Sequence, residues 1–190
     1  MNKNEKYVFY SHGRIVEGDN STPVSPKWGR YEFLKVKEAL SDDGYNLIAY
    51  HRPKDTNPNE FAKKIAGNVH LLIEKGVKQE NITLLGFSKG GGITILTSNL
   101  LKPKKINIVL LASCYGFMKG KANYKVYGSI YSVYETSDTV GSCQFLIDQS
   151  KSVDDFEEIS INTGKGHGAF YRPMNEWVIP VKEWINLKRS

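Results

Sequence analysis

Apolar stretches of two kinds alternate along the chain, and each kind predicts a different element. Short runs rich in β-branched and aromatic residues have the length of strands, whereas longer segments place apolar residues at helical spacing. The predicted strands are residues 7–10, 45–50, 81–85, 106–112, 129–134 and 156–162. The predicted helices are residues 31–40, 58–75, 93–101, 140–149 and 172–187, with Gly76 as the cap of the second.

This alternation predicts an α/β protein whose parallel sheet is covered by helices on both faces. The continuous apolar run 106–112 is typical of a strand buried on both sides. Polar residues with reactive side chains follow the predicted strands, and in such sheets they collect at the carboxyl ends. They are His12, Ser88, Asp138 and His167.

Length and composition predict one globular domain spanning residues 1–190. Hydrophobic residues make up 40% and charged residues 24%, and the polar start predicts no signal peptide. No run is long enough to span a membrane. The two cysteines, Cys114 and Cys143, give no disulfide framework and no metal-ligand spacing, so we expect a cytoplasmic protein without metal or cofactor.

The net charge of +6 raises the question of nucleic-acid binding. The Lys and Arg residues are scattered, however, and the densest cluster, residues 102–105, is typical of a solvated loop between a helix and a strand. We therefore expect no nucleic-acid partner.

The segment from Gly86 to Gly90 is the strongest candidate for chemistry. It reads Gly-Phe-Ser-Lys-Gly between a predicted strand and a predicted helix, where a strained turn exposes the serine hydroxyl. The alternative is a glycine-rich turn that binds phosphate at a helix N-terminus. The chain has neither Gly-x-Gly-x-x-Gly here nor the Lys-Ser/Thr pair of a P-loop. Ser88 is therefore predicted to be a nucleophile.

A serine nucleophile needs an imidazole base and a carboxylate that orients it. His167 is the best base among four histidines, because its glycine-flanked loop follows the last strand. Asp138 and Glu135 compete as the acid. Asp138 is favoured since it lies beyond the strand end, although it could instead cap the helix predicted near Val140.

The order Ser88, Asp138, His167, with an early His12-Gly13, resembles the α/β-hydrolase superfamily over essentially the whole chain. The resemblance implies acyl transfer: Ser88 attacks a carbonyl, His167 acts as base and then acid, and Asp138 orients it. The elbow is similar to those of small carboxylesterases and acyl-protein thioesterases, which usually carry Gln in place of Lys89. The implied oxyanion and substrate-binding residues are Gly13, Arg14, Lys89 and His12, with backbone N–H donors at Lys89 and in the Gly13-Arg14 segment.

The chain also departs from that family. It lacks room for the two opening antiparallel strands and for a lid domain, so the expected fold is a minimal three-layer α/β/α sandwich. Its six-stranded, mostly parallel sheet would have the order 2-1-3-4-5-6. The site would lie open, partly covered by loop 17–28. Arg14, Lys89 and Arg172 would favour an anionic substrate if they face the mouth, or would simply point into solvent.

The expected function is hydrolysis of a small ester or thioester through an acyl-enzyme intermediate. The same triad supports a peptidase or amidase, and a non-catalytic binding protein of this fold is a further alternative. The expected partner is a small-molecule acyl substrate, and the sequence predicts no particular oligomeric state.

Overall fold

A computed structural model describes residues 2–102 and 105–187 of the chain. The strands are β1 (Tyr7–Ser11), β2 (Val24–Ser25), β3 (Gly29–Arg30), β4 (Asn46–Ala49), β5 (Ile82–Phe87), β6 (Asn107–Leu111), β7 (Tyr127–Glu135) and β8 (Ser152–Ile161). Six of them form one sheet in the order β4-β1-β5-β6-β7-β8, and every neighbouring pair is parallel. Counted within that sheet, the order is 2-1-3-4-5-6, so the predicted topology is confirmed.

Helices cover both faces of this sheet. They are α1 (Phe33–Leu40), α2 (Pro58–Glu74), α3 (Lys89–Leu101), α4 (Gln144–Asp148) and α5 (Asn175–Leu187), with short 3-10 turns at Arg14–Val16, Gln79–Asn81, Gly116–Met118 and Gly166–Tyr171. One buried apolar cluster joins α1 and α5 to the sheet, and a second joins α2, α3 and α4 to its other face. The predicted three-layer α/β/α sandwich is therefore confirmed.

Two predicted helices are shorter than expected by three residues or more, for local reasons. The last helix begins at Asn175 rather than residue 172 because Pro173 disfavours helical backbone in Arg172, which is extended at φ −131° and ψ 153°. Helix α4 covers only Gln144–Asp148 of the predicted 140–149. The turn before it is held instead by Glu158, which accepts hydrogen bonds from the Ser142 hydroxyl and the Cys143 N–H (2.8 Å).

Loop 17–28 is less irregular than its turn-rich sequence suggests. Strand β2 lies within it and pairs with β3 as a small antiparallel hairpin, separate from the main sheet. Trp28, in the connecting turn, donates its N–H to the Ser25 hydroxyl at 3.1 Å. The loop is therefore a structured segment at the carboxyl edge of the sheet.

The expectation that the cysteines form no disulfide is wrong. Cys114 follows β6, Cys143 precedes α4, and the two sulfur atoms are bonded with a Cα–Cα distance of 5.2 Å. The partners are 29 residues apart in sequence but lie beside each other at the carboxyl edge of the sheet. Disulfides are rare in the reducing cytosol, so the cysteines no longer support the cytoplasmic location inferred from them.

The basic loop 102–105 contains Pro103 and Lys104, which lie outside the described residues. Within residues 2–102 and 105–187, no helix is both long enough and apolar enough to cross a membrane.

Replacing both Cys114 and Cys143 by Ala should lower the free energy of unfolding. The partners are 29 residues apart, and cross-linking a loop of that length stabilises by about 3 to 4 kcal/mol in the chain-entropy account. Urea unfolding followed by circular dichroism measures the loss. Dithiothreitol should destabilise the native protein and leave the double variant unchanged; an equal effect on both would show that the bond makes no contribution.

Candidate active site

Ser88 lies at a strained turn between β5 and α3. Its backbone has φ 54° and ψ −120°, a conformation that non-glycine residues rarely adopt. The Ser88 N–H donates to the Leu111 carbonyl at 3.1 Å, and its own carbonyl accepts from Gly92 at 3.0 Å. These bonds hold the turn between the sheet and the helix, so the hydroxyl points out at the carboxyl edge.

Close backbone packing explains the glycines of this turn. A Cβ on Gly90 would lie 1.9 Å from the Ser11 carbonyl oxygen, and one on Gly91 would lie 1.7 Å from the Ser113 Oγ. Both distances are far below any real contact, and both neighbours belong to adjacent strand ends. The turn can approach the ends of β1 and β6 only because these residues have no side chains.

Three of the predicted side chains form a continuous chain of hydrogen bonds. His167 Nε2 lies 2.9 Å from Ser88 Oγ, and His167 Nδ1 lies 2.6 Å from Asp138 Oδ2. Because a carboxylate can only accept, Nδ1 carries the proton, and Nε2 accepts from the Ser88 hydroxyl. The Asp138 side chain is 2% exposed and that of His167 13%, so the chain is shielded while the serine end remains accessible. This is the geometry of a Ser-His-Asp triad.

Glu135, the competing acid, lies elsewhere and has a different set of partners. It is buried at the end of β7 and accepts N–H groups of Ser137 (2.6 Å), Thr163 (2.8 Å) and Gly164 (3.0 Å). Burial raises its pKa, but the hydrogen bond from the Ser137 hydroxyl and those from the three N–H groups outweigh burial and hold the pKa at about 2. Glu135 therefore ties together the loop that carries Asp138 and the loop that carries His167.

Tyr115 is a site residue that the sequence did not reveal. Its hydroxyl lies 2.8 Å from Ser88 Oγ. The Ser88 proton is directed to His167, so the Tyr115 hydroxyl must be the donor in this bond. Burial raises the Tyr115 pKa and nearby Asp138 adds to this, although the bond to Ser88 opposes them, so the hydroxyl keeps its proton. The residue lies in segment 113–128, whose sequence has no clear pattern.

The segment after β1 supplies one side of the expected oxyanion site. No group among the described residues accepts a hydrogen bond from the backbone N–H of Arg14 or of Lys89. The Gly13 backbone, by contrast, interacts with the Tyr31 hydroxyl. Arg14 is therefore the better placed donor of the Gly13-Arg14 segment.

His12 does not line the site. Its ring is fully buried, with Nδ1 donating to the Gly13 carbonyl at 2.7 Å and Nε2 accepting the Arg52 N–H at 2.9 Å. Burial, and next the Arg52 charge, lower its pKa to about 3, so the imidazole is neutral. His12 can position the Gly13 peptide but cannot touch a substrate, contrary to the substrate-binding role expected of it.

Lys89 and Arg172 are not free charges at the mouth. The Lys89 ammonium donates to Glu17 Oε2 and to the Thr56 carbonyl, both at 2.8 Å, and buried Arg52 lies 3.2 Å from the other oxygen of Glu17. Arg172 donates to the Gly168 and Trp28 carbonyls. Lys89, at the position where small carboxylesterases usually carry Gln, therefore belongs to a largely buried ion-pair cluster with Glu17 and Arg52.

Only Arg14 of the three cations is exposed at the site. No ion pair involves it within the part of the chain that the structure describes. The argument for an anionic substrate therefore loses two of its three charges.

Two cavities meet at Ser88, and Arg14 borders both. The first, which we call the His167 cavity, measures about 440 Å³. The second, the Tyr115 cavity, measures about 350 Å³. Both are in the size range of small-molecule sites. The His167 cavity is further lined by Phe87, Glu17, Lys54, Asp55 and Tyr171. The Tyr115 cavity is further lined by Leu96, Phe117, Met118, Tyr124, Pro58, Gly92 and Lys89.

Loop 17–28 covers the histidine side of the site in part. The Trp28 ring lies with its centroid 6.4 Å from that of His167. A Cβ on Gly166 would lie 2.8 Å from the Trp28 ring, and one on Gly168 would lie 3.0 Å from the Trp28 carbonyl. The histidine loop therefore packs directly on this segment, which leaves Ser88 open from the other side.

Comparison with solved structures finds the same architecture. Arabidopsis thaliana SOBER1 aligns over 97% of this chain and 99% of its own, with 15% identity and a TM-score of 0.61. A CIB-like hydrolase of Thermoplasma acidophilum aligns over 98% and 88%, with 18% identity and a TM-score of 0.63. An arylesterase aligns over 96% and 76%, with 13% identity and a TM-score of 0.65.

The chain has the α/β-hydrolase fold. Ser88, Asp138 and His167 follow β5, β7 and β8, in the expected order. No family model and no curated protein matched the sequence. Among the residues described, no three His, Cys, Asp or Glu side chains are grouped as metal ligands.

Glu135→Gln should destabilise the protein by about 1.5 to 3 kcal/mol near neutral pH, the usual contribution of hydrogen bonds to a buried charge. The folded-state pKa of Glu135, about 2, is below the ordinary 4.5. Its contribution is therefore complete above that ordinary value and disappears as the pH falls through the folded value. The difference in unfolding free energy between wild type and variant should therefore shrink as the pH falls from 4.5 to about 2.

Urea unfolding across that pH range checks this prediction. Glu60→Gln is the matched control, because Glu60 is 67% exposed and its ion pair with Lys63 should contribute under about 1 kcal/mol. A Glu135→Gln difference that stays constant with pH would contradict the assignment.

Proposed function

We propose that this protein is a serine hydrolase that cleaves a small carboxylic ester or thioester through Ser88, His167 and Asp138. The observation that carries the proposal is the hydrogen-bonded chain from Asp138 through His167 to a strained Ser88 that opens into two cavities. The hydrolase and esterase names of the structural neighbours agree with it.

In the acylation step, the Ser88 oxygen attacks the substrate carbonyl carbon as His167 Nε2 takes the hydroxyl proton. Asp138 accepts from Nδ1, keeps the imidazole in the required tautomer and stabilises the imidazolium that forms. The carbonyl oxygen gains negative charge, and the unpaired N–H groups of Lys89 and Arg14 are the backbone donors that would stabilise it. His167 then protonates the leaving oxygen or sulfur, and the bond to it breaks.

In the deacylation step, water attacks the acyl-enzyme and His167 takes its proton. The Ser88 oxygen is now the leaving group and gains negative charge as its bond to the acyl carbon breaks. The Tyr115 hydroxyl, 2.8 Å from this oxygen, can stabilise that charge. His167 returns the proton to Ser88 and the carboxylic acid is released.

A fluorophosphonate probe should label the wild-type protein and fail to label Ser88→Ala, because it reacts only with an activated serine. His167→Ala and Asp138→Asn should each lower kcat on a short p-nitrophenyl ester by roughly three to four orders of magnitude. Gel fluorescence and absorbance measure the two effects. An unlabelled wild-type protein would favour a non-catalytic binding role, and an inactive Glu135→Gln beside an active Asp138→Asn would reverse the choice of acid.

Tyr115→Phe should slow breakdown of the acyl-enzyme by about tenfold or more, since a hydrogen bond to a charged oxygen contributes about 1.5 to 3 kcal/mol. Burst kinetics with p-nitrophenyl acetate separate this step from acylation. Tyr7→Phe is the matched control, because it removes a hydroxyl at the far end of β1 whose hydrogen bonds, among the described residues, are to the Asn2 backbone. If breakdown is equally fast in Tyr115→Phe and wild type, Tyr115 has no part in the step.

A further inference from the structure

The two cavities beside Ser88 differ in their relation to the base. His167 lines one of them, together with Ser88, and is absent from the lining of the other. In the proposed mechanism the same imidazole nitrogen that takes the Ser88 proton gives it to the leaving group. The leaving group must therefore lie in the His167 cavity, and the acyl group must occupy the Tyr115 cavity.

The Tyr115 cavity has an aromatic wall. The rings of Tyr115 and Phe117 are stacked with centroids 5.8 Å apart, and Tyr124 meets Phe117 edge-on at 5.7 Å. Phe117 is 56% exposed, so one face of its ring is open to a ligand. Leu96 and Met118 add apolar surface, and of the two charged lining residues, Arg14 and Lys89, the second is paired with Glu17. A planar ring can stack on one of these side chains and meet another edge-on.

This wall is held in place before any substrate arrives. The disulfide ties Cys114, next to Tyr115, to the start of α4. At the end of α4, the Gln149 amide donates to the Met118 carbonyl (3.3 Å) and to the Tyr124 carbonyl, and its oxygen accepts the Gly120 N–H at 3.0 Å. A preformed pocket binds a rigid ring with little loss of entropy.

The His167 cavity is the more polar of the two, and it carries charges of both signs. Arg14 and Lys54 supply donors, whereas Asp55 supplies an acceptor, and all three are exposed. Glu17, a fourth lining residue, is already neutralised by Arg52 and Lys89. Mixed donors and acceptors around a cavity of about 440 Å³ suit neutral hydroxyl groups better than a single strong anion.

We infer that the substrate is an ester of a single-ring aromatic acid with a hydroxyl-bearing alcohol, an inference that rests on the proposed hydrolase function. The ring occupies the Tyr115 cavity and the alcohol occupies the His167 cavity. The Ser88 oxygen forms a bond to the acyl carbon, the bond from that carbon to the alcohol oxygen breaks, and the Ser88 proton passes through His167 to the alcohol. Water then supplies the oxygen and protons that release the acid.

The test measures kcat/KM by pH-stat for glycerol monoesters of three acids: phenylpropanoic, butanoic, and the straight-chain acid with the carbon count of phenylpropanoic. The ethyl ester of phenylpropanoic acid completes the set. We expect the phenylpropanoyl ester to exceed both aliphatic esters by about tenfold, and the glycerol ester to exceed the ethyl ester severalfold. Equal or faster hydrolysis of the straight-chain ester overturns the aromatic assignment, and no preference for glycerol overturns the alcohol assignment.

Variants at Phe117 test whether the aromatic wall causes the preference for the phenylpropanoyl ester. Phe117→Ala should reduce the ratio of phenylpropanoyl to butanoyl kcat/KM about five- to tenfold, and Phe117→Leu should restore only part of it. Leu71→Ala is the matched control, since Leu71 is 51% exposed, similar to Phe117, and lies on α2 outside both cavities. An unchanged ratio in Phe117→Ala overturns the inference.

The results distinguish a failure of the proposed hydrolase function from a failure of the proposed substrate class. If no ester is hydrolysed and the fluorophosphonate probe does not label Ser88, both the hydrolase and its substrate class are rejected. If Ser88 is labelled and the esters are hydrolysed without preference, only the substrate class is rejected.

Discussion

The close approach of the elbow to the ends of β1 and β6 is the constraint on which the rest of the site depends. Gly90 lies against the Ser11 carbonyl and Gly91 against Ser113, where no side chain fits. This packing holds Ser88 at a positive φ that costs free energy by itself. It also brings the N-terminus of α3, with its free N–H groups, beside the segment that follows β1. Ser88 and the unpaired N–H groups of Lys89 and Arg14, the proposed nucleophile and oxyanion donors, therefore share one backbone arrangement.

Buried carboxylates organise the segments around that centre. Glu135 holds the two loops that deliver Asp138 and His167, and Glu17 holds Arg52 and Lys89 beside the turn after β1. A buried charge is expensive unless it is paired or fully hydrogen-bonded, and both carboxylates meet that condition. Neither touches the reacting atoms. They restrict the segments that surround the site, and those held by Glu135 are rich in Gly, Ser and Thr.

In the proposed function, catalysis and substrate recognition belong to different parts of the sheet edge. The loops after β7 and β8 carry Asp138 and His167, and the segment after β6 carries the aromatic wall with Tyr115 at its inner end. The disulfide and Gln149 hold that segment independently of Asp138 and His167. Such a separation would allow the proposed acyl pocket to change without moving the hydrogen-bonded chain from Asp138 to Ser88. Tyr115 is the point of contact, because it touches both Ser88 and Phe117.

Much of the architecture was determined by the sequence alone, because the signals involved are local. Strand and helix periodicity gave the layers, and the turn chemistry at Gly86–Gly90 gave the elbow; the strand order came from the resemblance to a known fold. The pairing of Cys114 with Cys143, the donor Tyr115, and the roles of Lys89 and His12 were decided only by tertiary structure. Each depends on partners from 27 to 72 residues apart, and spacing along the chain does not say which strand ends meet.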